Sequence, residues 1–177
     1  MDIMIDVKTL GQKPGCVILA IDYAIMDTKE YAIVTTDMIK LEVGAQLADG
    51  RTVCQDSHDI WMTHPADIRS MVFSQVGAVH PTEALHTNLS RVMQDNDVMH
   101  VWAAPTHFHI AIIDEAVDFW DAAPPWHYSQ VRDLSSYIAA AGGRTDNSDS
   151  PEILTPMEKV TRQANSLFAS MQELRSF

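Results

Sequence analysis

The sequence predicts a single α/β domain with a mixed central sheet flanked by helices. Three features support this prediction: two β-rich stretches follow an alternating first strand, segments with helical spacing come next, and a short apolar strand stands among those helices. Strands that alternate with helices are typical of α/β proteins, in which helices cover the faces of a sheet. The 177 residues, 46% of them hydrophobic, are enough to bury one core, so the expected domain is 1–177.

Four segments have the composition of strands. Residues 2–7 (DIMIDV) alternate apolar and acidic side chains, which predicts a first strand. Residues 16–26 and 30–39 are rich in β-forming residues and are separated by a short polar turn, which predicts a hairpin. Residues 98–104 (VMHVWAA) are short and apolar, as in a buried strand.

The other segments show helical spacing of apolar residues. The best-defined helices are predicted at 82–94, 107–120, 133–141 and 156–174. Thr82 and Asp133 stand where N-caps are expected, because their side-chain oxygens can accept a backbone N–H of the first turn. Residues 60–73 have helical spacing broken by Pro65, and 142–151 (GGRTDNSDSP) is the clearest predicted loop.

The charge of the chain bears on its partners. Twelve Lys and Arg residues against 24 Asp and Glu residues give a formal net charge of -12. Nucleic acid is bound mainly by cations that neutralise phosphates, so this charge disfavours a general nucleic-acid binder, although a local basic groove stays possible. The other interpretation is that the charge only keeps the chain soluble.

No apolar run reaches the roughly 20 residues of a membrane span, and residues 1–8 do not start a signal peptide. A cytoplasmic protein without a membrane partner is therefore expected.

Four segments, in this order and spacing, resemble one branch of a nuclease family. They are DIMIDVKTLG (2–11), QLADGRTV (46–53) followed by Trp61 and PADIR (65–69), VWAAPTHFH (101–109), and PPWHYSQVRDLSSY (124–137) followed by RQA (162–164). Together they resemble the phage and bacterial branch of the DEDD-type 3′-to-5′ exonucleases. The resemblance covers nearly the whole chain and implies an RNase H-like fold and a homodimer.

The resemblance also implies a metal site from which this chain departs. Such exonucleases are expected to hold two Mg²⁺ or Mn²⁺ ions with four carboxylates, because hard oxygen ligands must neutralise ions that stabilise the attacking and leaving oxygens. Asp6 matches the first carboxylate, but Lys8 stands in place of a Glu and His109 in place of an Asp.

The last helix departs from the family pattern as well. When the helix is aligned on Gln163 and Ala164, Leu154 stands at the expected catalytic His and Lys159 at the expected Asp. Glu158 is one residue away and would point aside unless the register slips, because a helix turns about 100° per residue. A shifted alignment is the alternative.

These five positions, Asp6, Lys8, His109, Glu158 and Lys159, are therefore the candidate site, in a degenerate form. We expect Asp6, Lys8, His109 and Lys159 to meet at one end of the sheet, with lysine ammonium groups in the place of the metal ions. No metal or other cofactor is then expected, and Mg²⁺ or Mn²⁺ only if the chain is an active enzyme.

Other histidines and the tryptophans have alternative interpretations. His107 and His109, with His100 nearby, could suggest a metal cluster, but a spacing of two on a helix does not put both rings on one face. The tryptophans could stack on bases, although core packing is the commoner role. They are Trp61, Trp102, Trp120 and Trp126.

Three functions are compatible with the sequence. The first is an inactive exonuclease scaffold that binds a protein partner, for example as a phage or mobile-element inhibitor of a host system. The second is an active exonuclease on DNA or RNA that uses Asp6, Glu158 and His109 with one metal. The third is a nucleic-acid binder in which Lys8 and Lys159 contact phosphate. The acidic charge favours the first over the third, and the altered positions disfavour the second.

Overall fold

The computed structural model describes residues 1–143 and 154–176, and its centre is a five-stranded sheet. The strands are β1 (Asp2–Thr9), β2 (Ile18–Asp27), β3 (Ala32–Lys40), β4 (His100–Ala103) and β5 (Val131–Asp133). Their order across the sheet is β3-β2-β1-β4-β5. The first three strands are antiparallel neighbours, whereas β4 runs parallel to β1 and β5 runs parallel to β4. The mixed sheet confirms the predicted α/β class.

Helices cover both faces of this sheet. They are α1 (Val43–Ala48), α2 (Gln55–Met62), α3 (Ala66–Phe73), a π-helical segment (Glu83–Leu89) that continues into α4 (Ser90–Asp95), α5 (Thr106–Phe119), a 3₁₀ turn (Tyr128–Gln130), α6 (Leu134–Ala140) and α7 (Pro156–Arg175). All four predicted strands and the four best-defined predicted helices are present. This architecture is consistent with an RNase H-like exonuclease fold. The described helices include none that is both long and apolar enough to cross a membrane.

The two predicted N-caps have different outcomes. Asp133 caps α6 by accepting the backbone N–H of Ser136 at 2.7 Å, as predicted. The prediction for Thr82 is wrong, because Thr82 already has helical dihedral angles and makes no side-chain cap bond. The helix begins earlier, and the ring Nδ1 of His80 accepts the Thr82 backbone N–H at 3.3 Å. The predicted loop at 142–151 lies almost entirely outside the described residues.

The alternation of side chains along β1 divides the core into two layers. Ile3, Ile5 and Val7 point to the face covered by the π-helical segment and α5. Met4 points to the opposite face, where it packs with side chains of α6 and α7. Because successive side chains of a strand point to opposite faces, the even-numbered residues of β1 belong to the α7 face. Asp6 and Lys8 therefore belong to the α7 face of the sheet.

Candidate active site

A buried carboxylate pair lies at the centre of the site. Asp6 in β1 and Asp22 in β2 are direct partners in the antiparallel register, and both side chains are fully buried. Directly opposed residues of an antiparallel pair share one face, so both carboxylates lie on the α7 side of the sheet. Two buried like charges in adjacent positions are stable only when a cation neutralises them or one of them takes up a proton.

Lys8 supplies one cation from the same strand. Its Nζ donates a hydrogen bond to Oδ2 of Asp6 and lies 3.1 Å from Oδ2 of Asp22. The side chain of Lys8 is only 8% exposed, so the ammonium group is held inside the protein. Residues two apart on a strand point to the same face, which explains why Lys8 reaches back to Asp6. The two carboxylates are thus bridged by a cation of the protein itself.

Lys159 supplies a second cation from α7. The helix begins at Pro156 after a capping box in which the Thr155 hydroxyl accepts the backbone N–H of Glu158. One residue later, Nζ of Lys159 lies 2.7 Å from Oδ1 of Asp6. The Lys159 side chain is 42% exposed, in contrast to the enclosed side chain of Lys8.

Glu158 does not join this cluster. Its carboxylate bonds the backbone N–H and hydroxyl of Thr155, both at 2.8 Å, and the side chain is exposed. These bonds lower the pKa of Glu158. Glu158 is therefore outside the site, contrary to its inclusion among the five candidate residues. Neighbouring helical residues differ by a turn of about 100°, so Glu158 points away when Lys159 faces Asp6.

His109 enters the cluster from the start of α5. Its Nδ1 accepts the backbone N–H of Val7 at 3.0 Å, and its Nε2 lies 3.0 Å from the carbonyl oxygen of Ala104 and 3.3 Å from Oδ1 of Asp6. An imidazole that accepts at Nδ1 carries its proton on Nε2, so the neutral form fits both contacts. Burial lowers the pKa of His109 to about 4, with Asp6 opposing that change. His109 is therefore neutral at physiological pH.

The charges of the cluster balance. Burial alone would raise the pKa of Asp6, but Lys8 and Lys159 outweigh burial and hold that pKa well below its usual range. Burial would lower the pKa of Lys8, but Asp6 and Asp22 outweigh it and raise that pKa. Burial raises the pKa of Asp22 to about 6, against the opposing effect of Lys8. Near neutral pH, two carboxylates thus face two ammonium groups and a neutral imidazole.

The side chains present do not fit a two-metal centre. A pair of divalent ions needs several free carboxylate oxygens, whereas Asp6 and Asp22 are already neutralised by lysines. Within 1–143 and 154–176, no group of three or more His, Cys, Asp or Glu side chains is arranged to hold a metal ion. His107 is exposed, unlike the buried His109, so the two do not form a shared site.

A groove of about 300 Å³ opens beside the cluster, and we call it the site groove. Its lining includes Lys8, Thr9, Gln12, Trp61, His64, Ile68, Phe108, His109, Leu154 and Lys159. The indole N–H of Trp61 donates to the carbonyl oxygen of Thr9 at 2.8 Å, which fixes that ring against the end of β1. Trp61 is the one tryptophan that lines the groove; Trp102 and Trp126 are core residues.

The structure thus brings four of the five candidate residues together, Asp6, Lys8, His109 and Lys159. Sequence reasoning missed Asp22, the second buried carboxylate. One signal was available: Asp22 is the only charged residue in the apolar stretch 16–26. A charged residue in a buried strand needs a partner, and the partner here is Lys8.

Comparison with known proteins identifies the scaffold. The chain matches the family model described as 3'-5' exoribonuclease Rv2179c-like domain over residues 1–166. A search of curated proteins found no match. The match covers nearly the whole chain and agrees with the mixed sheet and with the resemblance of the four sequence segments. This chain therefore belongs to the Rv2179c-like 3'-5' exoribonuclease domain family.

Proposed function

We propose that this chain is a catalytically inactive, 3′-to-5′ exonuclease-like protein in which two lysines replace the metal ions, and that it acts by binding a protein partner. One observation carries the proposal: the ammonium groups of Lys8 and Lys159 both contact the buried carboxylate of Asp6. A cation that belongs to the chain neutralises the site permanently. The scaffold then folds around Asp6 without a metal.

The loss of activity follows from the chemistry that such a site must perform. Hydrolysis of a phosphodiester by a metal-dependent exonuclease requires ions that activate water and stabilise the leaving oxygen. A lysine ammonium neutralises charge but cannot lower the pKa of a bound water as a divalent ion does. A one-metal alternative built on Asp6, His109 and Glu158 is disfavoured because Glu158 caps α7 instead.

The charge of the chain favours a protein partner over nucleic acid. The net charge of -12 opposes approach to a polyanion. Lys8 is buried between Asp6 and Asp22 and is not free to contact phosphate.

We propose that the chain works as a homodimer in the cytoplasm. If a phage or mobile element encodes it, disarming a host system is the role that we propose.

The first test is an exonuclease assay on 5′-labelled single- and double-stranded DNA and RNA with Mg²⁺ or Mn²⁺. We expect no degradation above the buffer control, because each tenfold loss of rate corresponds to about 1.4 kcal/mol of barrier and several contributions are missing. Asp6→Ala is run beside the exposed Asp95→Ala as a matched control. Degradation that disappears in Asp6→Ala and persists in Asp95→Ala would overturn the proposal.

The second test measures Mn²⁺ binding through its effect on the thermal unfolding temperature, Tm. A ligand specific to the folded state raises stability by about 2.7 kcal/mol at 100 times its Kd, so a bound ion would raise Tm by several degrees. We expect the Tm of the parent chain to change by less than about 1 °C in millimolar Mn²⁺. The variant Lys8→Glu with His109→Asp, which restores two family carboxylates beside Asp6 and Asp22, is expected to gain a rise with Mn²⁺. A rise in the parent would revive the enzyme hypothesis.

A further inference from the structure

We propose that the site groove binds an acidic peptide segment of a protein partner, one that places a Glu or Asp side chain between apolar side chains. This inference rests on the proposed function, because it names the surface on which the scaffold would hold its partner. Three properties of the groove carry it: the sign of the charged side chains that line it, its apolar walls and the exposure of the Lys159 side chain.

The charged side chains that line the groove are positive, although the chain as a whole is acidic. Asp and Glu outnumber Lys and Arg by 24 to 12 in the sequence. Among the described residues that line the groove, however, there are two lysines, Lys8 and Lys159, and no Asp or Glu. Asp6 and Asp22 lie behind these lysines with no exposed surface. The charge of the two lysines is balanced from below, so the cation that can attract a negatively charged group into the groove is the partly exposed Lys159.

The walls of the groove suit apolar side chains. Ile60, Trp61, Phe108 and Leu154 are among its lining residues. Ile60 is 55% exposed. The exposed Ile60 side chain and the apolar walls together offer a surface on which an apolar side chain of a partner can pack. The Trp61 ring, held by its hydrogen bond to Thr9, gives the groove a fixed wall.

Lys159 is the group that can meet a carboxylate. An ammonium group has three N–H donors, and the ion pair of Lys159 among the described residues is with Oδ1 of Asp6. Its side chain is 42% exposed, whereas Lys8 is enclosed. A single accessible cation suits one carboxylate beside apolar side chains. A polynucleotide would need several cations along its backbone, which favours a peptide over RNA.

The experiment titrates ¹⁵N-labelled protein with three capped peptides and follows amide and indole shifts by NMR. The probes are acetyl-Ser-Leu-Glu-Phe-Ser-amide and its analogues with Gln or Lys in place of Glu. We expect the Glu peptide to shift the Trp61 indole signal and to bind at least fivefold more tightly than the Gln peptide. The Lys peptide is expected to bind most weakly, because like charges repel in the groove.

Three variants locate the contact. Lys159→Met should weaken binding of the Glu peptide at least fivefold, whereas Lys29→Met, in the exposed turn after β2, should leave it unchanged. Ile60→Glu should abolish binding without changing Tm, which keeps the test valid if Lys159→Met folds poorly. Equal affinity for the Glu and Gln peptides, or an unchanged affinity in Lys159→Met and Ile60→Glu, would overturn the inference.

A parallel titration with a five-nucleotide oligoadenylate separates the two anionic classes. Tighter binding of this RNA than of the Glu peptide at 150 mM salt would also overturn the inference, in favour of a nucleic-acid groove. Failure of peptide binding leaves the proposed loss of catalysis intact, since that is judged by the nuclease and Mn²⁺ tests. Nuclease activity that depends on Asp6 would instead remove the proposed function itself.

Discussion

Two buried aspartates on β1 have opposite surroundings. Asp2 and Asp6 lie four residues apart on the same strand and point to the same face of the sheet. Asp2 accepts the indole N–H of Trp102 at 2.8 Å and lies 3.1 Å from Nδ1 of His100. Asp6, at the other end of the strand, contacts Lys8 and Lys159.

The difference shows that burial alone does not mark a functional site. Asp2 is held by two ring nitrogens of β4, an arrangement that joins the first and fourth strands. Asp6 is held by cations brought from two separate elements, β1 and α7, to one point. The Asp2 carboxylate is satisfied by hydrogen bonds to ring nitrogens, whereas the Asp6 carboxylate is neutralised by ion pairs.

The largest expected effect is the loss of Asp6 compared with the loss of Asp2. Asp6→Ala leaves Lys8 buried with only Asp22, and breaking a buried ion pair costs about 3–5 kcal/mol. Asp2→Ala leaves the Trp102 indole N–H without its partner, which costs about 1–3 kcal/mol. Urea unfolding at pH 7.5 measures both free energies. Equal losses would mean that the lysines do not distinguish the two carboxylates.

Lys8→Met is expected to have the next largest effect and to depend on pH. The change leaves Asp6 and Asp22 together without their bridging cation, so we expect a loss of about 3–4 kcal/mol at pH 8. Burial already raises the pKa of Asp22 to about 6, and removal of Lys8 raises it further. The folded variant then binds more protons than the unfolded chain near pH 5.5, so the loss shrinks on acidification.

Unfolding of Lys8→Met and the parent chain at pH 8 and pH 5.5 tests this expectation. Lys29→Met, in an exposed turn, serves as the control and should change stability by less than about 0.5 kcal/mol at either pH. A loss from Lys8→Met that is the same at both pH values would contradict the bridged carboxylate pair.

His109 gives a pH effect of opposite sign. Its folded pKa of about 4 lies below the usual value of 6.5, so between these values the unfolded chain binds a proton that the folded chain does not. The stability that the neutral His109 contributes is complete above pH 6.5 and is lost as the pH falls toward 4. It amounts to about 3 kcal/mol. Asp22 has the opposite effect on stability over about pH 4–6. The effect of His109 is therefore obtained as the difference in stability between the parent chain and a His109 variant at each pH.

His109→Gln should therefore lose less stability than the parent chain when the pH falls from 7 to 4.5. The exposed His107→Gln, two residues away on α5, is the matched control and should keep the pH dependence of the parent. Free energies of unfolding at half-unit pH steps give the comparison. A parent and a His109→Gln variant with parallel pH curves would show that His109 is not held neutral.

The sequence predicts elements that have a clear residue pattern or a recognisable cap. The alternation of 2–7 placed Asp6 on a strand, and Asp133 had a recognisable capping position. Other elements were too short to show a period: β5 has three residues and α1 has six. Such elements form because neighbouring strands and helices support them, which a local pattern does not reveal.

The site was partly predictable for a related reason. Lys159 could be placed by its distance from Gln163 in one helix, since a helix has a fixed rise and turn. Asp22 could not be paired with Asp6 from the sequence, because the register of a hairpin depends on its turn and on bulges such as the one at Lys8 and Thr9. Without that register, the contact of Lys8 with both carboxylates could not be predicted.

The smallest expected effect is that of Lys159→Met, and it separates the two lysines of the cluster. The Lys159 side chain is 42% exposed, so solvent screens its attraction to Asp6, and we expect a loss of about 1 kcal/mol. Screening also makes this loss depend on salt: at 1 M NaCl the Debye length is about 3 Å, and the difference from the parent chain should fall by half or more. The enclosed Lys8 should show no such change, because salt does not reach a buried pair. Urea unfolding of the parent, Lys8→Met and Lys159→Met at 0.05 M and 1 M NaCl provides the measurement. A salt-independent loss from Lys159→Met would place its ammonium inside the protein and remove the accessible cation on which the peptide-binding inference depends.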